Sequence, residues 1–216
     1  MPYINSLKPH LEGADGYPQF DAIVLPTGVA TRTSVTAAHK ECLHLQIYTE
    51  LHDLYRLQGA WEELLGAFPT SSIFSSWDWL ISWWETFHEN RQLLVLAAFD
   101  SESRLVGMAP ISISKECFLG FVQLRCLRLM GDGTGDSDNL DFPVRPGFEG
   151  AFTERLIEYL EEDHGLWDVA QLNTFPPDSP ALMRLGESLA TLRWPSFTSS
   201  RECSFIVLPP TWDQYF

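Results

Sequence analysis

An unbroken apolar run from Leu93 to Phe99, a polar turn Asp100-Ser101-Glu102-Ser103-Arg104 and a second apolar run from Leu105 to Ser114 dominate the hydropathy pattern. Val, Leu, Ile and Ala on both sides of a short solvated turn predict two antiparallel strands closed as a hairpin, the centre of a sheet. The first run has no polar alternation, so both of its faces are expected to be covered. Met108, Pro110, Ser112 and Ser114 predict that the second strand opens on a polar side and sits shallower.

On either side of the hairpin the period changes. His44 to Thr49 alternates, and Leu51, Leu54, Tyr55, Leu57, Trp61, Leu64 and Leu65 then recur at helical spacing, predicting a strand that leads into an amphipathic helix ending near Phe68-Pro69. Ser75 or Ser76 is placed to cap a second helix, whose Trp77, Leu80, Ile81, Trp84 and Phe87 recur at three and four. Val122, Leu124, Leu127 and Leu129 predict a third strand carrying Arg125 and Arg128. Beyond it come a helix through Phe152, Leu156, Ile157 and Leu160, a strand from Trp167 to Leu172, a helix opened by Ser179-Pro180, and a last strand from Phe205 to Leu208. Strands and helices mixed in this order predict an α+β fold, a mainly antiparallel sheet flanked by helices.

The first 42 residues show no sustained period and are punctuated by Pro and Gly, so they read as an irregular leader whose removal leaves stability unchanged; the apolar island Ala22 to Leu25 is the part able to pair with a sheet edge. The folded domain is expected over residues 43–209, and residues 210–216 read as the first turn of a further helix.

Composition narrows the function classes. With 216 residues, 45% of them hydrophobic, the chain can bury a substantial core. Lys and Arg number 14 against 29 Asp and Glu, a net charge of -15, which argues against nucleic acid and anionic membrane surfaces as partners. The four cysteines lack pair or ligand spacing and read as small buried hydrophobes of a reducing cytoplasm; no run is long enough to insert across a membrane, and residues 1–5 do not read as a basic patch leading into an apolar core, so export is not expected.

Chemistry concentrates in the loop Gly131-Asp132-Gly133-Thr134-Gly135-Asp136-Ser137-Asp138-Asn139-Leu140-Asp141. It lacks the acid series of a calcium loop, and no metal is expected. Asp138 or Asp141 is placed to act as a general base on an amine or hydroxyl; the competing reading is a solvated loop of turn formers. Gly147 and Gly150, with Arg145, precede a helix whose amino end favours a phosphate, although Pro146 removes a donor and Glu149 adds a negative charge. Trp79 and Trp83 fall beside the apolar stripe of their helix, either as a thick core contact or as a platform for substrate. Phosphate-loop, dinucleotide, serine-hydrolase and zincin motifs are absent from the sequence.

Phe74-Ser75-Ser76-Trp77-Asp78-Trp79 with Trp83-Trp84, Leu105-Val106-Gly107-Met108-Ala109-Pro110-Ile111, Leu127-Arg128-Leu129-Met130-Gly131, Ser137-Asp138-Asn139-Leu140-Asp141 and Cys203-Ser204-Phe205-Ile206-Val207-Leu208-Pro209-Pro210-Thr211-Trp212 together resemble the BioF2-like acetyltransferase family. That family lies in the GNAT superfamily, akin to the CelD proteins of cellulose biosynthesis and distantly to the FemABX peptidyltransferases. The resemblance runs from about Leu43 to Phe216. It implies a GNAT-like fold, an acyl-CoA donor such as acetyl-CoA, and N- or O-acylation of a small-molecule, glycan or cell-envelope acceptor in exopolysaccharide synthesis. It also implies a second GNAT-like domain, missing here, for which this half would be the first. Arg145-Pro-Gly-Phe-Glu-Gly does not keep the superfamily's pyrophosphate-loop spacing, which leaves open a non-catalytic half that binds a substrate or partner.

Overall fold

The computed structural model describes residues 16–24, 43–135, 137–162, 165–192, 194–204, 209 and 211–215. Seven strands form one sheet: β1 (Gly16–Val24), β2 (His44–Tyr48), β3 (Arg91–Phe99), β4 (Leu105–Phe118), β5 (Val122–Leu129), β6 (Val169–Phe175) and β7 (Ser196–Ser204), in the order β2-β3-β4-β5-β6-β1-β7. All neighbours run antiparallel except β5 and β6. The chain is therefore α+β with a mainly antiparallel sheet, and the hairpin of β3 and β4 sits beside β5 as its spacing predicts.

The helices divide between the two faces. Helices α1 (Leu51–Leu54) and α2 (Gln58–Ala67), joined by a 3-10 turn at Tyr55–Leu57, lie with α3 (Trp77–Phe87) on one face. There Trp61, Leu64, Leu80 and Trp84 pack against Leu93, Val95, Ala97 and Met108. Helices α4 (Glu149–Glu162) and α5 (Pro180–Leu192) cover the opposite face, where Phe152, Leu156, Leu185 and Leu189 meet Leu94, Leu96, Ala98 and Ile111. Odd and even positions of β3 thus enter different cores, which is why its sequence is apolar without alternation. A short helix α6 (Trp212–Tyr215) stands where the sequence predicts a helical turn.

Local chemistry sets the helix ends. Ser76 caps α3, its hydroxyl accepting from the Trp79 N–H at 3.3 Å, and Ser179 caps α5, accepting from Leu182 at 3.0 Å. Gly107 lets α4 close on the sheet: a Cβ there would fall 2.5 Å from the Phe152 ring.

Four expectations change. Gly16–Val24 is not part of an irregular leader. It is inserted between β6 and β7, in register with Leu172 and Phe175 on one side and with residues 196–204 on the other. Deleting it would leave β7 without a partner and β6 with only its short ladder to β5, so the domain begins before residue 43; the other residues of 1–42 lie outside those described. The last strand is Ser196–Ser204, and the expected one at 205–208 lies outside the described residues. β4 does not open on a polar side: residues 105–114 are buried throughout, Ser112 and Ser114 included, because α3 and the loop after β5 cover that end of the sheet. Cys126 is buried as expected, whereas Cys117 is exposed near the tip of the β4–β5 hairpin.

That tip carries a testable cost. Leu119 has a φ of 53°, the left-handed region, followed by Gly120 at 78°. A leucine there is strained and is also 72% exposed, so nothing in the fold repays it. Leu119→Asn, which tolerates that conformation, is expected to raise unfolding free energy by about 0.5–1 kcal/mol in a denaturant titration.

Candidate functional site

β5 and β6, joined through α4, are the one parallel pair in the sheet, and their ladder is short. Cys126 pairs with Val169 and Leu127 with Ala170, and no further pair follows although β5 continues to Leu129 and β6 to Phe175. The carboxyl ends of adjacent parallel strands form a crevice in which open α/β sheets commonly place ligands. Here the crevice is a fork, with the Gly131–Asp141 loop on one prong and Asn173-Thr174 on the other.

The second prong is shaped by a bulge. Between the pairs Ala22↔Leu172 and Phe20↔Phe175, β6 carries one residue more than β1, and Thr174 takes up the slack at a φ of 65°. A β-branched residue in that region is strained, and bulges re-aim neighbouring side chains. Asn173 accordingly donates from Nδ2 to Asp132 Oδ2 at 3.0 Å, spanning the mouth of the fork.

Asp132 belongs to a charged network on the α3 side of the sheet. Arg128 donates from Nη1 to Asp132 at 3.1 Å and grips both oxygens of Glu116, at 2.8 Å from Nε and 3.2 Å from Nη2. Ser114 adds a hydroxyl to Glu116 at 2.9 Å. Burial opposes the Arg128 charge, but the bond to Glu116 and the fields of Asp132 and Glu116 together lift its pKa above the ordinary value. The same bond from Arg128 holds Glu116 below the usual carboxylate range, while burial pushes Asp132 up against the pull of Arg128. Arg91 lies beside them with its guanidinium 5.0 Å from the Trp83 ring centre; burial and the neighbouring Arg128 charge lower its pKa.

The loop itself is a hub. The Trp83 indole donates to Thr134 at 3.0 Å and the Trp79 indole to Ser137 at 2.9 Å, so both tryptophans singled out by sequence reach the loop that the sequence also singled out. Asp141 is 3% exposed and accepts from Thr70 at 3.3 Å, Ser179 at 2.7 Å and its neighbour's Phe142 N–H at 2.7 Å. Burial outweighs these donors and raises its pKa to about 7. Asp141 therefore clamps the loop to the turn before α3 and to the start of α5, and it has no open path to a substrate. Asp138 is exposed. The two acids are not brought together as one catalytic pair.

The Gly147–Gly150 segment lies elsewhere. Gly147 has a φ of 93°, and its N–H is taken by the Glu149 carboxylate at 2.9 Å. Arg145 is committed to the Leu105 carbonyl at 3.0 Å and to Glu63 at 2.6 Å. An incoming phosphate would have to displace both carboxylates. Among the described residues no group of His, Cys, Asp and Glu is placed to hold a metal ion, and no helix is long and apolar enough to cross a membrane.

Sequence reasoning missed Arg91, Asp132 as a network member, and Asn173. Arg128 was visible as a cation on a strand, but only the alternation it shares with Ser112, Ser114 and Glu116 could have hinted at a common polar strip. Compared with known proteins, the chain matches no family model, and no curated protein matches it.

Proposed function

We propose that the domain is a GNAT-like acyltransferase that takes an acyl-CoA donor, such as acetyl-CoA, and acylates an amine or hydroxyl of a glycan or cell-envelope precursor, as its resemblance to BioF2-like and CelD proteins implies. The observation that carries this reading is the fork: the β5–β6 ladder stops after two residue pairs. Beyond that point the facing edges of β5 and β6 carry no ladder bonds to each other and are offered to an extended, amide-bearing chain such as the arm of a CoA thioester, by the logic of strand addition. In the reaction the acceptor nitrogen or oxygen attacks the thioester carbonyl, the carbon–sulfur bond breaks, and the acceptor proton ends on the leaving thiol. On this reading the exposed Asp138 relays that proton, with Trp79 and Trp83 backing the loop that carries it. Asp138→Asn is then expected to lower turnover about a hundredfold, the usual contribution of a general base.

A second reading rests on the Gly147–Gly150 segment, whose amide and cation are already taken by Glu149 and Glu63. It makes the domain a non-catalytic half that binds an acceptor or a second domain. Thermal unfolding with acetyl-CoA separates the two. A donor at a hundredfold excess over its Kd adds about 2.7 kcal/mol to stability, a rise in Tm of several degrees. Such a rise, with thiol release in the presence of amino sugars, supports the acyltransferase. An unchanged Tm at millimolar acetyl-CoA sinks it and leaves the binding module.

A further inference from the structure

We propose that Arg91 and Arg128 form an oxyanion-binding site at the mouth of the fork, which selects a substrate carrying a carboxylate or phosphate group. Taken as the acceptor's anchoring site, this deepens the acyltransferase reading and rests on it.

Arg91 opens β3, and its register partner on β4 is Ser114; Arg128 on β5 faces Ser112. Cross-strand partners share a sheet face, so both guanidiniums lie on the α3 side. They converge at Gly133, an exposed loop position: a Cβ built there would be 3.6 Å from Arg91 Nη2 and 4.0 Å from Arg128 Nη1. With no side chain at Gly133, an anion arriving from solvent meets both cations at one point.

The local acids are bonded to Arg128 and leave Arg91 uncommitted. Glu116 and Asp132 are the acids facing the pair, and their fields favour the Arg91 charge. Their side-chain bonds nonetheless go to Arg128, Ser114 and Asn173. Among the described residues Arg91 forms no ion pair, and its Nη1 is enclosed without a hydrogen-bond partner. The Ser112 hydroxyl, on the same face and fully buried, also lacks a protein partner. Enclosed polar atoms without partners are uncommon in folded proteins, and a bound ion is one partner that satisfies them. Trp83 under Arg91 holds the guanidinium plane, and a planar fork of donors is suited to carboxylate or phosphate.

Binding can be read without any acyl donor, so failure here is distinguishable from failure of the acyltransferase reading. The full chain is titrated calorimetrically with inorganic phosphate and, separately, with glucuronate, against chloride at matched ionic strength. Saturable one-site binding of either anion is expected, with affinity at least tenfold lower in Arg91→Met and partly retained in Arg91→Lys. Phosphate alone assigns a phosphoryl group, and glucuronate alone a sugar carboxylate. Independently of any variant's folding, the bound anion should protect Arg91 of the wild-type chain from phenylglyoxal, read by peptide mass spectrometry. Absence of saturable binding, equal affinity in Arg91→Met, or labelling of Arg91 unchanged by the anions would each overturn the proposal.

Discussion

Asp141→Asn is expected to abolish most of the loss of stability that the wild-type protein suffers between pH 5 and 8. The Asp141 carboxyl is nearly fully buried, and its pKa is raised from 3.8 to about 7. Between those values the folded state keeps a proton that the unfolded chain has released, so stability falls as pH rises and levels off above about 7. A displacement of about three pKa units corresponds to about 4 kcal/mol in all, of which about 3 kcal/mol falls between pH 5 and 8. Asp132, pushed up by burial, works in the same direction as Asp141, whereas Glu116 and Asp168, whose carboxyls are held low by arginine, act in the opposite direction and at more acidic pH. Asparagine preserves the clamp: its carbonyl can accept from Ser179 and Phe142, and its amide can donate to Thr70 with that hydroxyl reversed. Denaturant titrations at both pH values check this. Parallel pH slopes for variant and wild type would show that Asp141 stays ionised in the folded protein.

Arg128→Met should be the most damaging single change at the fork. The side chain is 13% exposed and serves two acids, of which Asp132 is buried and Glu116 is about half open to solvent. Removing the cation leaves a buried carboxylate without its charge partner, a loss of 3–5 kcal/mol in fully enclosed cases; solvent at Glu116 reduces this to about 3 kcal/mol. For a chain of this size the Tm should drop by about 6–12 °C. The cost lies in the stranded charges more than in the missing arginine. Combining Arg128→Met with Glu116→Gln and Asp132→Asn should therefore recover most of the loss, a non-additivity expected of residues in one network. A single variant within 1 kcal/mol of wild type would mean that water, not Arg128, satisfies the acids.

Both experiments concern residues whose sequence signal was partial. The Gly131–Asp141 loop stands out by composition and the tryptophans of α3 by excess, and in the folded chain the two meet through Trp79–Ser137 and Trp83–Thr134. Which acid does what was not legible. Asp138 and Asp141 look alike in a list of turn formers, yet the first is exposed and the second is walled in by Thr70, Ser179 and Phe142. Arg91 reads as a polar start to an apolar strand. Only its neighbours on β4 and α3 make it a member of a site.

What the sequence determined by itself is what depends on neighbours three, four or two positions away. The apolar stripes of α3, α4 and α5, the serine caps at 76 and 179, the turn at Asp100–Arg104 and the two-faced burial of β3 all follow from local period and turn chemistry. What only the tertiary structure decided depends on residues far apart in the chain. Gly16–Val24 has too short and mixed a pattern to declare itself, and it becomes a strand because β6 and β7 supply its hydrogen bonds on both sides. The fork exists because the β5–β6 ladder ends at Leu127 and a bulge turns Asn173 toward Asp132. The charge state of Asp141 follows from desolvation by packing around it, and no local pattern carries that information.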